Sequence, residues 1–436
     1  MRVRCAAVAV LAGVVVAGAG CSGSGVEDSP GIELDRTTSA SGTKPIGDVG
    51  LPAGTLRELW RADVPRVPSP DPARTEFVAG QVVVVSNRGL DVLDANTGEP
   101  RWHYYEKARL VADYAVTAGA MVVTTVAADQ RGEADLADDQ SMRTTGLDAL
   151  SGRTLWNNDG LQPVTNGQKK GYEPLASAKA GVALFVGRDA KKPGLVAVDA
   201  RTGKDRWAWA TGSVRYCTFQ PHDTDGSLLL VAASCGGEES LYALDPSSGA
   251  VRWKKSTGGS RWAALTRNGV TLVNRLGKNT MSTLVTANGK EIWKLADEDL
   301  VATEFAVAQG RAVLAVSRDA SGMGQRLEFV NVRTGKVDKH VNAREHAGLV
   351  TAGGHVYGVR KWPGERDGDA SPRHMPDALD VIDPAKGKVT TVRLPFTASG
   401  HQFNPGLKPT LIHGDRLLRA EQVGDGLRLS LYGPGE

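Results

Sequence analysis

One short pattern returns along the whole chain. An apolar-alternating run meets Asp or a polar substitute, glycine follows within four residues, and tryptophan stands four positions past the glycine. GLVAVDARTGKDRW (Gly194 to Trp207) is the clearest copy, and LDVLDANTGEPRW, GLDALSGRTLW, LYALDPSSGAVRW and TLVTANGKEIW end on Trp102, Trp156, Trp253 and Trp293. LEFVNVRTGKV and LDVIDPAKGKV are weaker copies with Lys339 and Thr391 where tryptophan stands elsewhere. Each copy reads as a β-hairpin. The glycine supplies the positive φ that such a loop requires, and the Asp and Thr side chains fix the bend by bonding to their own backbone.

The turn glycines, Gly98, Gly152, Gly203, Gly249, Gly289, Gly335 and Gly387, recur every 40 to 54 residues. A period of that length defines a repeat architecture. Each interval divides into four short strands, as in RYCTFQ, SLLLVAAS, SLYALD and the return through Val251 to Trp253. Four antiparallel strands per repeat is the unit of a β-propeller. Tryptophans on the outermost strands are then expected to wedge against the neighbouring blade, each burying about 150 to 250 Å². The joints at Lys339 and Thr391 are expected to be looser or filled differently.

The ends of the chain complete the count. PTLIHG, RLLRAEQ and GLRLSLYG supply three strands without a fourth, while GTLRELWRADV (Gly54 to Val64) is an orphan strand carrying Trp60. Pairing 54–64 with 409–433 gives an eighth blade and leaves no open seam. The expected fold is therefore all-β, an eight-bladed propeller of four-stranded antiparallel blades over residues 51–436.

Charge excludes some partners. The net charge of +3 includes Arg2 and Arg4, and the remaining charges are well mixed, so no long-range attraction to nucleic acid is expected. MRVRCAAVAVLAGVVVAGAGC has a basic start and an apolar run from Cys5 to Gly20, short for a membrane span and shaped as an export signal. It resembles a bacterial lipoprotein signal: Ala19 and Gly20 precede Cys21, although Gly18 stands where leucine is usual. That resemblance implies a signal peptide over 1–20, lipidation of Cys21, a flexible tether over 21–50, and attachment to the cell membrane facing outside the cytoplasm. Of the four cysteines, Cys217 and Cys235 remain, and in an exported chain they are expected to form a disulfide.

The form A-x-D-x-x-T-G-x-x-x-W between Ala197 and Trp207 resembles the repeat of pyrroloquinoline-quinone-like (PQQ-like) eight-bladed propellers. That group includes quinoprotein alcohol dehydrogenases and the lipoprotein scaffold of the outer-membrane β-barrel assembly machinery. The resemblance covers essentially all of 51–436, and it speaks to fold more than to function. Quinoprotein dehydrogenases carry adjacent cysteines over their cofactor, and this chain has none. No catalytic residue and no cofactor is assigned.

Four long insertions are expected on one face, the one opposite the motif turns: 128–143, 157–173, 363–377 and 395–406. Long connections tend to carry function. They contain Tyr172, Arg366, Arg373, His374, His401 and Phe403, a candidate rim for a protein or envelope polymer. Glu133, Asp135, Asp138 and Asp139 match no calcium loop, and Asp223 to Gly226 reads as a turn that lacks the later calcium ligands. The expected function is a non-enzymatic, membrane-anchored binding or scaffold protein. A quinone-dependent dehydrogenase and an extracytoplasmic small-ligand sensor are the alternatives.

Overall fold

The computed structural model describes residues 32–33, 50–51, 56–65, 74–106, 109–117, 119–127, 143–158, 162–163, 181–186, 194–210, 217–235, 238–256, 261–276, 281–295, 299–318, 325–343, 346–360, 378–394, 410–423 and 426–434. These residues form strands and turns, and no helix occurs among them. The strands make eight antiparallel sheets, seven of four strands and one of five. Blades 1 to 7 are each a meander of four chain neighbours, as in blade 1 with Arg74–Val78, Gln81–Ser86, Gly89–Asp94 and Pro100–Glu106, to which Ile32–Glu33 adds the fifth strand.

The blades stand around a common axis with their first strands innermost. At the junction of blades 8 and 1, for example, Phe77 stacks on His413 with ring centroids 5.3 Å apart. Middle strands are covered on both sides, so they are apolar throughout: Gln81–Ser86 is buried at every position. Outer strands cover one side only, and along Val251–Ser256 only Trp253 is fully buried. The core is correspondingly divided into eight apolar clusters, one at each blade interface.

The ring closes through Leu56–Val64, which pairs with Gly426–Pro434 and sets Trp60 opposite Leu431. Blade 8 is thus assembled from both ends of the propeller. Gly50 and Leu51 lie against blade 7, where the Tyr357 hydroxyl donates to the Leu51 carbonyl at 3.3 Å.

The repeat motif proves to be a joint. The indoles of Trp60, Trp102, Trp156, Trp207 and Trp253 each lie beneath the turn glycine of the following blade, namely Gly98, Gly152, Gly203, Gly249 and Gly289. These glycines have φ between +68° and +87°, and a Cβ on any of them would come within 2.6 to 2.7 Å of the tryptophan. Glycine is therefore required twice, for backbone conformation and for space. The indole Nε1 of Trp60, Trp156 and Trp207 donates to the carbonyls of Ala95, Ala200 and Pro246 at 2.9 to 3.1 Å.

Three joints depart from this plan. Trp293 is buried, but the next turn glycine, Gly335, sits against the Ile292 carbonyl instead of an indole. The aliphatic stem of Lys339 takes the tryptophan's place beneath Gly387. Thr391 is not in a joint at all. Blade 7 lacks the bulge that the other outer strands carry after the turn, so Val381 faces Thr390 and Asp380 faces Thr391. A one-residue slip reverses side-chain direction, and the Thr391 hydroxyl donates to Asp380 at 2.8 Å. Blade 8 offers no turn there, because its third and fourth strands are joined across the closure.

Candidate binding face

The motif-turn face is chemically closed on itself. Asp94 accepts from the backbone N–H of Asn96 at 2.7 Å and of Thr97 at 3.1 Å, and from Arg101 Nε at 3.2 Å. Asp199 and Asp245 repeat the arrangement with their own turns and with Arg206 and Arg252. Burial raises the Asp94 and Asp199 carboxyls, but Arg101 and the turn N–H groups for the first, and Thr202 and its turn for the second, hold both below the usual range. The Ser247 hydroxyl and Arg252 likewise hold Asp245 down.

Short inner turns are stapled to these outer ones. Gly80, Gly181 and Gly310 accept from the N–H of Ala95, Ala200 and Val332 at 2.9 to 3.1 Å. Between blades 4 and 5, Asp225 accepts from Gly269 N–H at 2.7 Å while also closing its own turn through Ser227 and Leu228. Of the Asp223 to Gly226 stretch, Asp223 and Thr224 end the first strand of blade 4 opposite Leu230 and Leu229, while Asp225 and Gly226 begin the turn that links two blades.

The opposite face emits most of the long connections. Residues 128–142 and 361–377 join second to third strands in blades 2 and 7, and 395–409 pass from blade 7 to blade 8. The fourth insertion differs from expectation. Gln162–Pro163 is the first strand of blade 3, so residues 164–180 join first to second strand and begin and end on the motif-turn face. Tyr172 lies in that connection. Arg366, Arg373 and His374 belong to 361–377, and His401 and Phe403 to 395–409; these two connections share a root at blade 7. All six rim residues lie outside the described residues, as do Cys21 and the Glu133, Asp135, Asp138 and Asp139 group.

Polar clusters that sequence reading missed support the roots of these connections. Below 128–142, the buried Glu106 carboxylate receives Arg143 Nη1 at 2.7 Å, Arg109 Nε at 3.3 Å, Tyr104 Oη at 3.0 Å and Thr125 Oγ1 at 3.1 Å. Burial and the adjacent Glu106 charge push the Tyr104 hydroxyl far up. Near the start of 361–377, His346 is fully enclosed, with Nδ1 at 2.8 Å from Gln325 Oε1 and Nε2 at 3.0 Å from Asp380 Oδ2. Gly358 makes room for that imidazole, since a Cβ there would lie 2.3 Å from His346 Cδ2.

Two further features concern the interior. Asp113 lines a cavity of about 10 Å³ between blades 2 and 3 with Tyr114, Thr124, Ala183 and Phe185, room for about one water. Burial pushes its carboxyl up to about 8, opposed by the Tyr114 N–H at 2.8 Å. Cys217 and Cys235 are directly opposed on the first and second strands of blade 4, with Cα atoms 4.3 Å apart and sulfurs 2.10 Å apart. Trp209 packs beside this pair, edge-on to Phe219 and Tyr242 at 5.8 and 4.8 Å.

The propeller fold raises the question of a calcium-bound quinone. Among the described residues no three His, Cys, Asp or Glu side chains converge as metal ligands, and His346 is already engaged by Gln325 and Asp380. The described residues do not fit such a group.

Eight four-stranded repeats, the tryptophan–glycine joints and a ring closed by its own N-terminal strand define an eight-bladed propeller of the PQQ-like repeat class. The chain belongs to the family described as outer membrane protein assembly factor BamB, whose profile matches residues 47–220 and 195–353. A curated relative, the serine/threonine-protein kinase AfsK of Streptomyces griseus, is 29% identical over 170 residues, covering 35% of this chain and 19% of the kinase. This chain thus spans about a fifth of the length of that relative. Among solved structures, BamB from Moraxella catarrhalis aligns over 87% of this chain and 100% of its own, at 12% identity and a TM-score of 0.49. Quinohemoprotein alcohol dehydrogenase from Comamonas testosteroni aligns over 87% and 77%, at 14% identity and a TM-score of 0.46.

Proposed function

We propose that this protein is a non-enzymatic scaffold, anchored through Cys21 on the outer side of the cell membrane and binding a protein partner with its long-connection face. The observation that carries this reading is the asymmetry of the ring. The motif-turn side uses its polar groups to close its own short turns and carries one long connection, 164–180, whereas three long connections, two rooted together at blade 7, leave from the other side. Membership of an assembly-factor family supports a binding role, and the export-like N-terminus supports the location.

Site-specific photo-crosslinking in intact cells tests the proposal. A crosslinker at Arg373 or His401 is expected to trap a discrete partner, while one at Asn96 or Ser247 in the motif turns gives none. Equal products from both faces, or none from Arg373 and His401 with the protein folded and exported, would refute the assignment.

A further inference from the structure

The motif turns divide their charges by direction. Asp94, Asp148, Asp199 and Asp245 each turn inward and accept from the N–H groups two and three residues on, at 2.7 to 3.2 Å. Asp383 in blade 7 accepts from the Lys386 N–H at 3.1 Å. Blades 5 and 6 make the turn without a carboxylate. Thr286 stands at that position in blade 5, and in blade 6 Asn331 accepts from the N–H of Arg333 and Thr334 at 3.0 and 3.2 Å.

The cations of the same turns are left at the surface. Arg153, Lys204, Lys290, Arg333, Lys336 and Lys388 are exposed, and among the described residues none of their side chains has a hydrogen-bond or ion-pair partner. Glu99 and Asp205 are exposed acids on the same side. The turn carboxylates are thus compensated within the turns, while most of the positive charge faces outward without a partner.

The blades that carry these cations lie on both sides of the axis. In a ring of eight, blade 2 stands across the centre from blade 6, and blade 3 from blade 7, so Arg153 and Lys204 lie opposite Arg333, Lys336 and Lys388. A narrow partner engages one side of such an array, whereas a surface wide enough to span the ring engages both. An anionic bilayer is such a surface, and each Lys or Arg brought against it favours the bound state by about fivefold. On the opposite face, the connection 128–142 is rich in Asp and Glu, which the same surface repels.

We propose that the motif-turn face docks on an anionic lipid surface, with its outward lysines and arginines against phosphate headgroups. This goes beyond the scaffold reading, which concerns the opposite face, and the Cys21 anchor supplies only proximity. The face that closes its carboxylates into its own turns is then the one that lies on the membrane, and the long-connection face is left clear.

Energy transfer on the full lipidated chain tests it. Ala287→Cys, exposed in the motif turn of blade 5, and Arg88→Cys, exposed in the turn between the second and third strands of blade 1, are each labelled with a donor fluorophore. Transfer to a headgroup acceptor is compared between phosphatidylcholine and phosphatidylglycerol vesicles. With about fivefold from each engaged cation, transfer from position 287 should at least about double on the anionic vesicles, and the gain should vanish at about 1 M salt, where screening acts within about 3 Å. Position 88 should show no gain. Replacing Lys204, Lys290, Arg333 and Lys336 together by glutamine should remove the gain and leave the melting temperature unchanged, because none of the four side chains has a partner to lose. Equal transfer on the two vesicles, or a gain at position 88 instead, overturns the docking and leaves the scaffold reading intact. A chain that washes off phosphatidylcholine but stays on phosphatidylglycerol refutes the anchor and supports the docking. Retention on immobilised polyphosphate without any dependence on lipid charge would assign the face to a soluble polyanion and overturn the proposal.

Discussion

Replacing Asp113 by asparagine isolates the effect of one buried proton. The carboxyl lies in a water-sized cavity between blades 2 and 3, and burial raises it from its ordinary 3.8 to about 8. The unfolded chain releases this proton above about pH 4, whereas the fold retains it until about pH 8. Between those limits the unfolded state binds fewer protons, so Asp113 makes stability fall as pH rises, by about 1.4 kcal/mol per pH unit. The accumulated loss is about 4 kcal/mol at pH 7 and levels off above pH 8. Asparagine keeps the acceptor for the Tyr114 N–H and does not titrate. In paired urea denaturations from pH 4 to 9, the stability of Asp113→Asn relative to the unaltered protein should therefore climb by about 4 kcal/mol between pH 4 and 7. Other titrating groups cancel in that difference. Parallel profiles would mean that the carboxyl is ordinarily solvated in the fold, and a difference running the other way would mean that the ionised form is held by a partner; either result refutes the reasoning.

Three other tests address the joints and the chemistry. Gly203→Ala should cost well over 1 kcal/mol in chemical denaturation, since it adds a clash with Trp156 to positive-φ strain, whereas Gly181→Ala, with open space at its Cβ, should cost only about 1 kcal/mol. Lys339→Trp should be accepted beneath Gly387, while Thr391→Trp should lower the melting temperature by several degrees because it breaks the bond to Asp380 and finds no turn to occupy. Pyrroloquinoline quinone with calcium should leave the melting temperature unchanged; a saturable rise would require native-state binding and would bring the dehydrogenase alternative forward.

The ring was legible because its rule is local. A turn glycine and a tryptophan four residues later sit within one hairpin, so each copy announces itself, and the orphan strand around Trp60 reveals the closure. What escaped depends on register or on distance. Gln162–Pro163 has neither length nor alternation to mark it as a strand, so the sequence places the connection bearing Tyr172 between blades, whereas it joins first to second strand within blade 3. Thr391 counts correctly from Gly387, yet a missing bulge turns it to the other side. His346, Gln325 and Asp380 come from three separate segments and carry no common spacing. The rim residues could be named from loop length, but length alone does not say whether they converge, and all six lie outside the described residues.

The joint has a consequence for how such a ring changes its number of blades. Blades 1 to 4 each offer a tryptophan to their successor and present a glycine to their predecessor, so the mating parts are the same at the five junctions from blade 8 round to blade 5. A gene segment running from one such tryptophan to the next encodes a cassette with compatible ends, and duplicating or excising it restores a matched junction wherever it falls in blades 1 to 4. Blades 6 and 7, joined through a main-chain carbonyl, a lysine stem and no turn at all, lack that interchangeability. Gain or loss of blades by recombination in this lineage should accordingly be confined to the N-terminal half of the ring.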